Sequence, residues 1–519
     1  MTLHRPLRFA LALALGSWSF AAGAATFTVT RADDPVPDGC LAADCSLREA
    51  IDATAATPEA DTILLGAGQY QVTRGELTID RAITITGAGS ASTRLTSAGD
   101  YTMLHVVAFG VATIEGMEIG AVDGAGVSVA DNGTATLRDI HVPANAGAVG
   151  TDSPPGDTGS GSIRVEDSTI ETGLICLQPD GTCRAFDSRL RQVATAGSAL
   201  ELVRVEIDGE NADFYGLTIA GSGAATVEDS TIRRTHRPLW LLGNGEPAPR
   251  IEIRRTRFID NTGPLVGNRI SSVDMDEVEF RHHVVTDDNP GDPAVLLAIP
   301  GPTWFISRAL VAGNRGGADL DGAVVRVLGG GRVVFDNSTF DDNTFRGGAS
   351  FGHTIGAYND SGDPTVLWLL HVTMRRAASL TDATVGSLLT VRGPAIDARV
   401  ANSALRGTCG FGGGGSIVQA VGNAESTGDT CGLDPATNLV DVASFDMSLG
   451  DLADHGGFTG TFQPTRNSVL IDAADAGFCT LVGALDQRRY ARPAGAACDI
   501  GALEVGAIAD SIFADGFGG

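Results

Sequence analysis

Lysine is absent from this sequence: all 36 basic residues are arginine. That absence excludes chemistries that need a lysine base, a lysine Schiff base or a lysine-cradled phosphate. Positive charge is scarce altogether, since 63 acidic side chains leave a formal net charge of −27. Nucleic acid is not an expected partner, because phosphate binding draws on clustered cations that release counterions. The acidic balance reads as a solubility device rather than a calcium site. Beyond residue 24 no apolar run approaches the roughly 20 residues of a membrane helix, so no transmembrane segment is expected. Tight Cys-x-x-Cys or Cys/His spacing is missing as well, and with it a metal centre; no cofactor is expected. Gly410-Phe-Gly-Gly-Gly-Gly415 lacks the Gly-Lys-Ser/Thr of a phosphate cradle and reads as a flexible loop between two cysteines. No Gly-x-Ser-x-Gly nucleophile elbow is present.

What is present begins with an export signal. Met1-Thr-Leu-His-Arg-Pro-Leu-Arg8 is positively charged, an apolar run from Phe9 to Phe20 follows, and Ala22-Gly-Ala24 precedes Ala25. Residues 1–24 therefore read as a signal peptide, which puts the mature chain outside the inner membrane. The eight cysteines fall into neighbouring couples: Cys40 with Cys45, Cys176 with Cys183, Cys409 with Cys431, and Cys479 with Cys498. In an exported chain this even count reads as local disulfides, with the connectivity left open by spacing alone. Sixty-eight glycines and only 6% aromatics point to many short strands with turns, while 43% hydrophobic residues argue against disorder.

One short phrase recurs: apolar, acidic or Asn, a small polar pair, apolar. It stands as Val165-Glu-Asp-Ser-Thr-Ile170, Val227-Glu-Asp-Ser-Thr-Ile232 and Phe335-Asp-Asn-Ser-Thr-Phe340. Looser copies include Leu202-Val-Arg-Val-Glu-Ile207, Ile253-Arg-Arg-Thr-Arg-Phe258, Met275-Asp-Glu-Val-Glu-Phe280, Leu369-Leu-His-Val-Thr-Met374 and Val400-Ala-Asn-Ser-Ala-Leu405. The spacing of roughly 20–35 residues is that of one solenoid coil plus a variable loop. Alternation within the phrase gives a strand with one buried face, and a lone coil cannot bury it. Stacking equivalent strands buries each aliphatic row on the next. The expected fold is therefore all-β, a right-handed parallel β-helix, rather than a β-sandwich, which predicts hairpins and no recurring phrase. Longer intervals at 145–161, 244–249, 287–293 and 359–364 are expected to emerge as flanking loops that form a groove.

A stack of strands needs covered ends. Cys45-Ser-Leu-Arg-Glu-Ala-Ile51 supplies a short amphipathic helix, with Ser46 and Glu49 in capping-box spacing. With Cys40 before it, this stretch resembles the signature of CSLREA-domain proteins, exported bacterial proteins in which the motif sits at the mouth of a pectin-lyase-like β-helix. Leu449-Gly-Asp-Leu-Ala-Asp-His-Gly-Gly457, Ile471-Asp-Ala473, Asp486-Gln-Arg488, Arg492-Pro493 and Cys498-Asp-Ile-Gly-Ala-Leu-Glu504 resemble the choice-of-anchor Q region that closes many of these proteins. Asp510-Ser-Ile-Phe-Ala-Asp-Gly-Phe517 is similar to endings of exported proteins in Gram-negative bacteria, which implies a secreted or outer-surface location. The expected organisation is signal peptide at 1–24, cap with the first coils at 25–90, β-helix at 91–405, a disulfide-containing C-terminal region at 406–505 and a tail at 506–519.

Catalytic signals are thin. Arg281, His282 and His283 with Asp287 and Asp288 form the densest ionisable cluster and are the candidate catalytic residues. Two adjacent histidines on a strand alternate sides, so a shared metal is not expected. Asp341 and Asp342 are a second carboxylate pair, able to face one sugar only if they sit in a bend; they read as solvated bend residues. Gly352-His-Thr354 faintly resembles the Gly-His-Gly of polygalacturonases but lacks its partner motifs. His455 reads as a turn former. The reading is an exported, monomeric β-helix protein presenting a face for adhesion or for contact with polysaccharide or cell-surface glycan, without an evident catalytic set. The alternative is a polysaccharide lyase or glycoside hydrolase acting on an acidic, plant or microbial polysaccharide.

Overall fold

The computed structural model describes residues 23–507, apart from 98, 100, 108, 122–125, 131, 144–148, 152–160, 172–189, 195–198, 210–214, 222–223, 243–249, 269–271, 286–291, 318–321, 347–351, 361, 377–382, 385 and 480–483. The chain is a right-handed parallel β-helix whose coils each lay strands on three faces in turn. First-face strands run from Thr26–Val29 to Ile417–Val421, and the second face ends at Ala424–Ser426. The third face is a separate 13-stranded sheet from Leu77–Ile79 to Cys409–Gly412. Register is strict: Ala225, Ile251, Val273, Trp304, Val333 and Leu367 occupy one column, all buried. Each such side chain contributes about 1.5–3 kcal/mol of burial, and only the stack makes that burial available.

The recurring phrase turns the corner between the first and second faces. Its third residue takes the left-handed conformation, as at Asp167 (φ 48°), Arg204 (54°), Asp229 (50°), Asn337 (44°) and Asn402 (52°). Non-glycine residues enter that region at a cost, Asn and Asp most readily, and each of these still donates its N–H to the next coil. The following serine explains its own presence. Ser168 Oγ donates to Glu166 O (2.6 Å) and accepts from Ile140 N (3.1 Å), which the bend would otherwise leave unpaired. Ser230 does the same for Val205, Ser338 for Ala309 and Ser403 for Val372. At the next corner Asn261, Asn314 and Asn343 point inward and bond to backbone, and Asn314 donates to Asn343 Oδ1 (3.0 Å).

Both ends are plugged. Ser46 caps the helix Leu47–Ala53 with a full capping box. Arg48 holds Asp34 (2.8 Å) and the carbonyls of Gly75 and Glu76, while Cys40 and Cys45 are bridged. The motif is thus a tied plug whose Leu47, Ala50 and Ile51 join the core. At the far end Cys409–Cys431 draws Cys431 and Leu433 over the last coil. Coils extend past the expected boundary at 405. The glycine-rich stretch read as a loop is the strand Cys409–Gly412, parallel to Ser387–Arg392, followed by a tight turn at Gly413 and Gly414 (φ 58° and 83°). Glycine there supplies turn geometry rather than flexibility. Cys479–Cys498 is the third bridge among the described residues, while Cys176 and Cys183 lie outside them, as do residues 1–22.

Residues 444–479 and 484–507 then turn back along the coils and lie over the first corner and second face of the downstream half. Asp475 pairs with the Asn402 amide through both its N–H (2.7 Å) and C=O (3.0 Å), and the Ala502 N–H reaches Thr373. Gln487 bonds Thr339 and Ala309 O, and Arg489 reaches Asp276 (2.8 Å). The centre of this dock is Arg492, fully buried. It donates to His371 Nδ1 (2.6 Å), Asp499 O and Gly501 O, with Glu504 alongside at 3.7 Å.

Candidate binding groove

On the second face, the residue after each phrase points outward, and these residues form one straight row. Glu171, Asp208, Arg233, Ile259, Arg281 and Ala312 lead to Asp341, and Arg375, Arg406 and Ser426 continue it. Strand spacing puts about 4.8 Å between neighbours in the row. The hairpin Leu449–Ala453 with Thr461–Pro464 stands beside this row, and a cavity opens on either side of it. One, about 400 Å³, is lined by Arg257, Glu279, Arg281 and Phe458. The other, about 710 Å³, is lined by Asp341, Asp342, Arg375, Arg376, Arg406 and Thr408, with Ser426, Thr427 and Ser444 closing it.

The charges in the larger groove are not equivalent. Arg375 donates from Nε and Nη2 to both oxygens of Asp341 (2.7 and 2.9 Å) and stacks on Phe462, 4.3 Å from its ring centre. Asp341 is buried, so this carboxylate is committed rather than solvated. Asp342 sits in the bend itself (φ 49°), exposed; partial burial of its carboxyl and the neighbouring Asp341 raise its pKa above the usual range, against Arg375. The two carboxylates therefore meet the geometric condition for facing one ligand, because the bend breaks strand alternation. Arg376 and Arg406 come from adjacent coils, joined by Arg376 N to Arg406 O (2.9 Å). Gly407 lets them close up, since a Cβ there would lie 2.7 Å from Leu388 and 3.0 Å from the Cβ of Arg376.

The structure separates the cluster around Arg281. Arg281 faces out into the smaller cavity, beside Glu279 at 3.5 Å. His282 occupies the left-handed bend (φ 57°), exposed, near Asp260. His283 points inward, fully buried, beside the inward asparagines: its Nδ1 faces Ala294 O (3.1 Å) and its Nε2 lies 3.3 Å from the Asn261 amide. Burial lowers its pKa to about 4, against the carbonyls of Phe258 and Ala294, which both face the ring. Asp287 and Asp288 lie outside the described residues. His353 contacts Ser387 (2.9 Å) and Thr390 (2.7 Å) on the third face, away from the groove. His455 braces the hairpin through Thr461 (3.1 Å). Of the expected flanking loops, 359–364 is described except for residue 361, with Asn359 Nδ2 donating to Asp363 O (2.7 Å); most of 145–161, 244–249 and 287–293 is not described.

No family model matches the chain, and no curated protein matches it. Solved structures do. The A-module of mannuronan C-5 epimerase AlgE4 from Azotobacter vinelandii is similar at 14% identity and a TM-score of 0.40, over 71% of this chain and 99% of that one. Pectate lyase Pel9A is similar at 13% identity and a TM-score of 0.31, over 93% and 97%. The DFA-IIIase of Arthrobacter chlorophenolicus A6 is similar at 12% identity and a TM-score of 0.35, over 81% and 98%. Likeness at this level concerns the fold and carries nothing about ligand or chemistry.

Proposed function

We propose that this is an exported protein that holds a glycan in the groove between its C-terminal cover and the second face. Export rests on the leader at 1–24 and on three disulfides formed among the described residues. A surface role rests on the resemblance of the two ends to CSLREA and choice-of-anchor Q regions. The observation that carries the binding reading is the lining of the 710 Å³ groove: hydroxyls of Thr408, Thr427 and Ser444 beside arginine and aspartate, with no large apolar side chain. Such a site gives many directional hydrogen bonds to a hydroxyl-rich ligand and little to an apolar one.

Adhesion or contact fits this lining better than turnover. Glycoside hydrolysis needs two available carboxylates, and Asp341 has both oxygens held by Arg375. Asp342 alone is the observation that favours the second reading, a hydrolase. Calorimetric titration of the mature protein against a panel of oligosaccharides, with product reducing ends read in parallel, tests both. Saturable binding without new reducing ends, lost when Thr408 and Thr427 are both replaced by valine, is the expected outcome. Turnover abolished by Asp342→Asn would establish the hydrolase instead.

A further inference from the structure

We infer that the groove selects a glycan carrying an anionic group, carboxylate or sulfate, and that Arg376 and Arg406 receive it. The inference rests on the glycan reading above and goes further by naming the charge class of the ligand. In this acidic chain most described arginines hold a carboxylate: Arg138 holds Glu166, Arg204 holds Asp167, Arg257 holds Glu279, and Arg375 holds Asp341. Arg376 and Arg406 hold none among the described residues, yet they stand on neighbouring coils and line the same groove.

Two guanidinium groups left uncompensated at a net charge of −27 form a local inversion of the field. Their forked donors match a carboxylate or sulfate in two-point geometry that a neutral hydroxyl cannot satisfy. Arg375 adds no net charge, because Asp341 cancels it. Asp342 lies one coil upstream of Arg376, at the equivalent position and exposed, where it accepts hydroxyl protons from a neighbouring sugar unit and repels a second anion. The groove thus reads one anionic unit flanked by hydroxyls. Gly407 keeps the pair close: a side chain there would displace Leu388 or Arg376.

The test uses three hexasaccharides titrated into the full mature protein: a polyuronate, the same polymer with its carboxyls reduced to alcohols, and a neutral hexamer bearing sulfate esters. At least one acidic hexamer should bind about tenfold or more tighter than the reduced one; which acidic hexamer does so identifies the anion. The gap should narrow steeply with added salt, while the neutral ligand's affinity stays flat. Arg376→Gln with Arg406→Gln should erase the gap, bringing the acidic hexamer's affinity down to that of the reduced one. Both residues lie at the surface, and Arg376→Lys with Arg406→Lys, which keeps the charge, should restore part of it. Equal affinity for acidic and reduced hexamers overturns the inference and leaves the glycan reading standing. Binding of none of the three overturns both.

Discussion

The upstream and downstream halves of the β-helix share one interior and differ on the outside. Upstream, the left-handed corner positions are Asp167, Arg204, Asp229 and Arg255. They pair with one another or with the neighbouring strand along the axis: Arg204 with Asp167, Arg255 with Asp229 and Glu228. Downstream the same positions are Asn337, His371 and Asn402, each about 1% exposed or less, and His371 and Asn402 bond directly to the returning C-terminal chain. The second face changes in step. Its inner outward row passes from Glu206, Thr231, Arg257 and Glu279 to Leu310, Thr339, Thr373, Ala404 and Ala424. A coil therefore needs only its inward aliphatics and its serine or asparagine bonds to stack. Whether a face meets water or protein is written separately, in residues that the stack itself does not constrain.

The strongest way to break the distinction is to remove the centre of the dock. Arg492→Met leaves His371, Asp499 O, Gly501 O and Glu504 buried without their cation, at an expected cost of about 3–5 kcal/mol. Proteolysis should then cut within 444–504 while the coils stay intact. The shared interior predicts the next effect. Ser230→Ala upstream and Ser338→Ala downstream each orphan one backbone N–H, at about 1–3 kcal/mol, and thermal unfolding should fall by similar amounts in the two. A difference confined to one half would mean that the interiors are not equivalent.

Acidity sharpens the comparison further. Burial and Arg492 lower the pKa of His371 to about 3 from 6.5, so the folded state binds fewer protons than the unfolded chain in between. Its contribution is fully present above pH 6.5 and is lost as pH falls toward 3. Burial raises Asp336 to about 7 from 3.8, which gives the opposite slope: stability present below pH 3.8 and lost as pH rises through 7. His371→Asn, which copies Asn337 and Asn402, should lessen the loss of Tm on acidification, and Asp336→Asn should lift Tm at pH 8. The smallest effect belongs upstream. Asp229→Asn removes an exposed ion pair while keeping a residue suited to the left-handed bend, and should change stability by less than about 1 kcal/mol.

The stack was legible because its signal is local and repeated. Alternating apolar residues and the Asp-Ser-Thr and Asn-Ser-Thr bends declare the coil, and the capping box at Ser46 declares the plug. The return of the C-terminal chain was not legible, since its contacts span long separations, 73 residues for Asn402 to Asp475 and 213 for Asp276 to Arg489. Nothing in a linear reading ties those segments together. Half of the groove was within reach. Asp341 and Asp342 stood out as a pair, while Arg375, Arg376 and Arg406 went unnoticed among 36 arginines. Aligning the phrases would have found them, because each phrase is followed by the residue that enters the outward row: Asp341 after Phe340, Arg375 after Met374, Arg406 after Leu405. The cluster at Arg281 misled because sequence proximity hides the corner that turns His283 inward and leaves His282 outside.

Hydrogen–deuterium exchange across residues 474–479 and 484–502 tests the central claim most directly, since these residues cover the corner and second face of the downstream half. In the mature protein at neutral pH their amides, among them Asp475 and Ala502, should exchange far more slowly than in a free peptide, and Arg492→Met should release them without altering uptake in 224–260. Exchange of 474–479 and 484–502 at free-peptide rates in the unaltered protein would contradict the account.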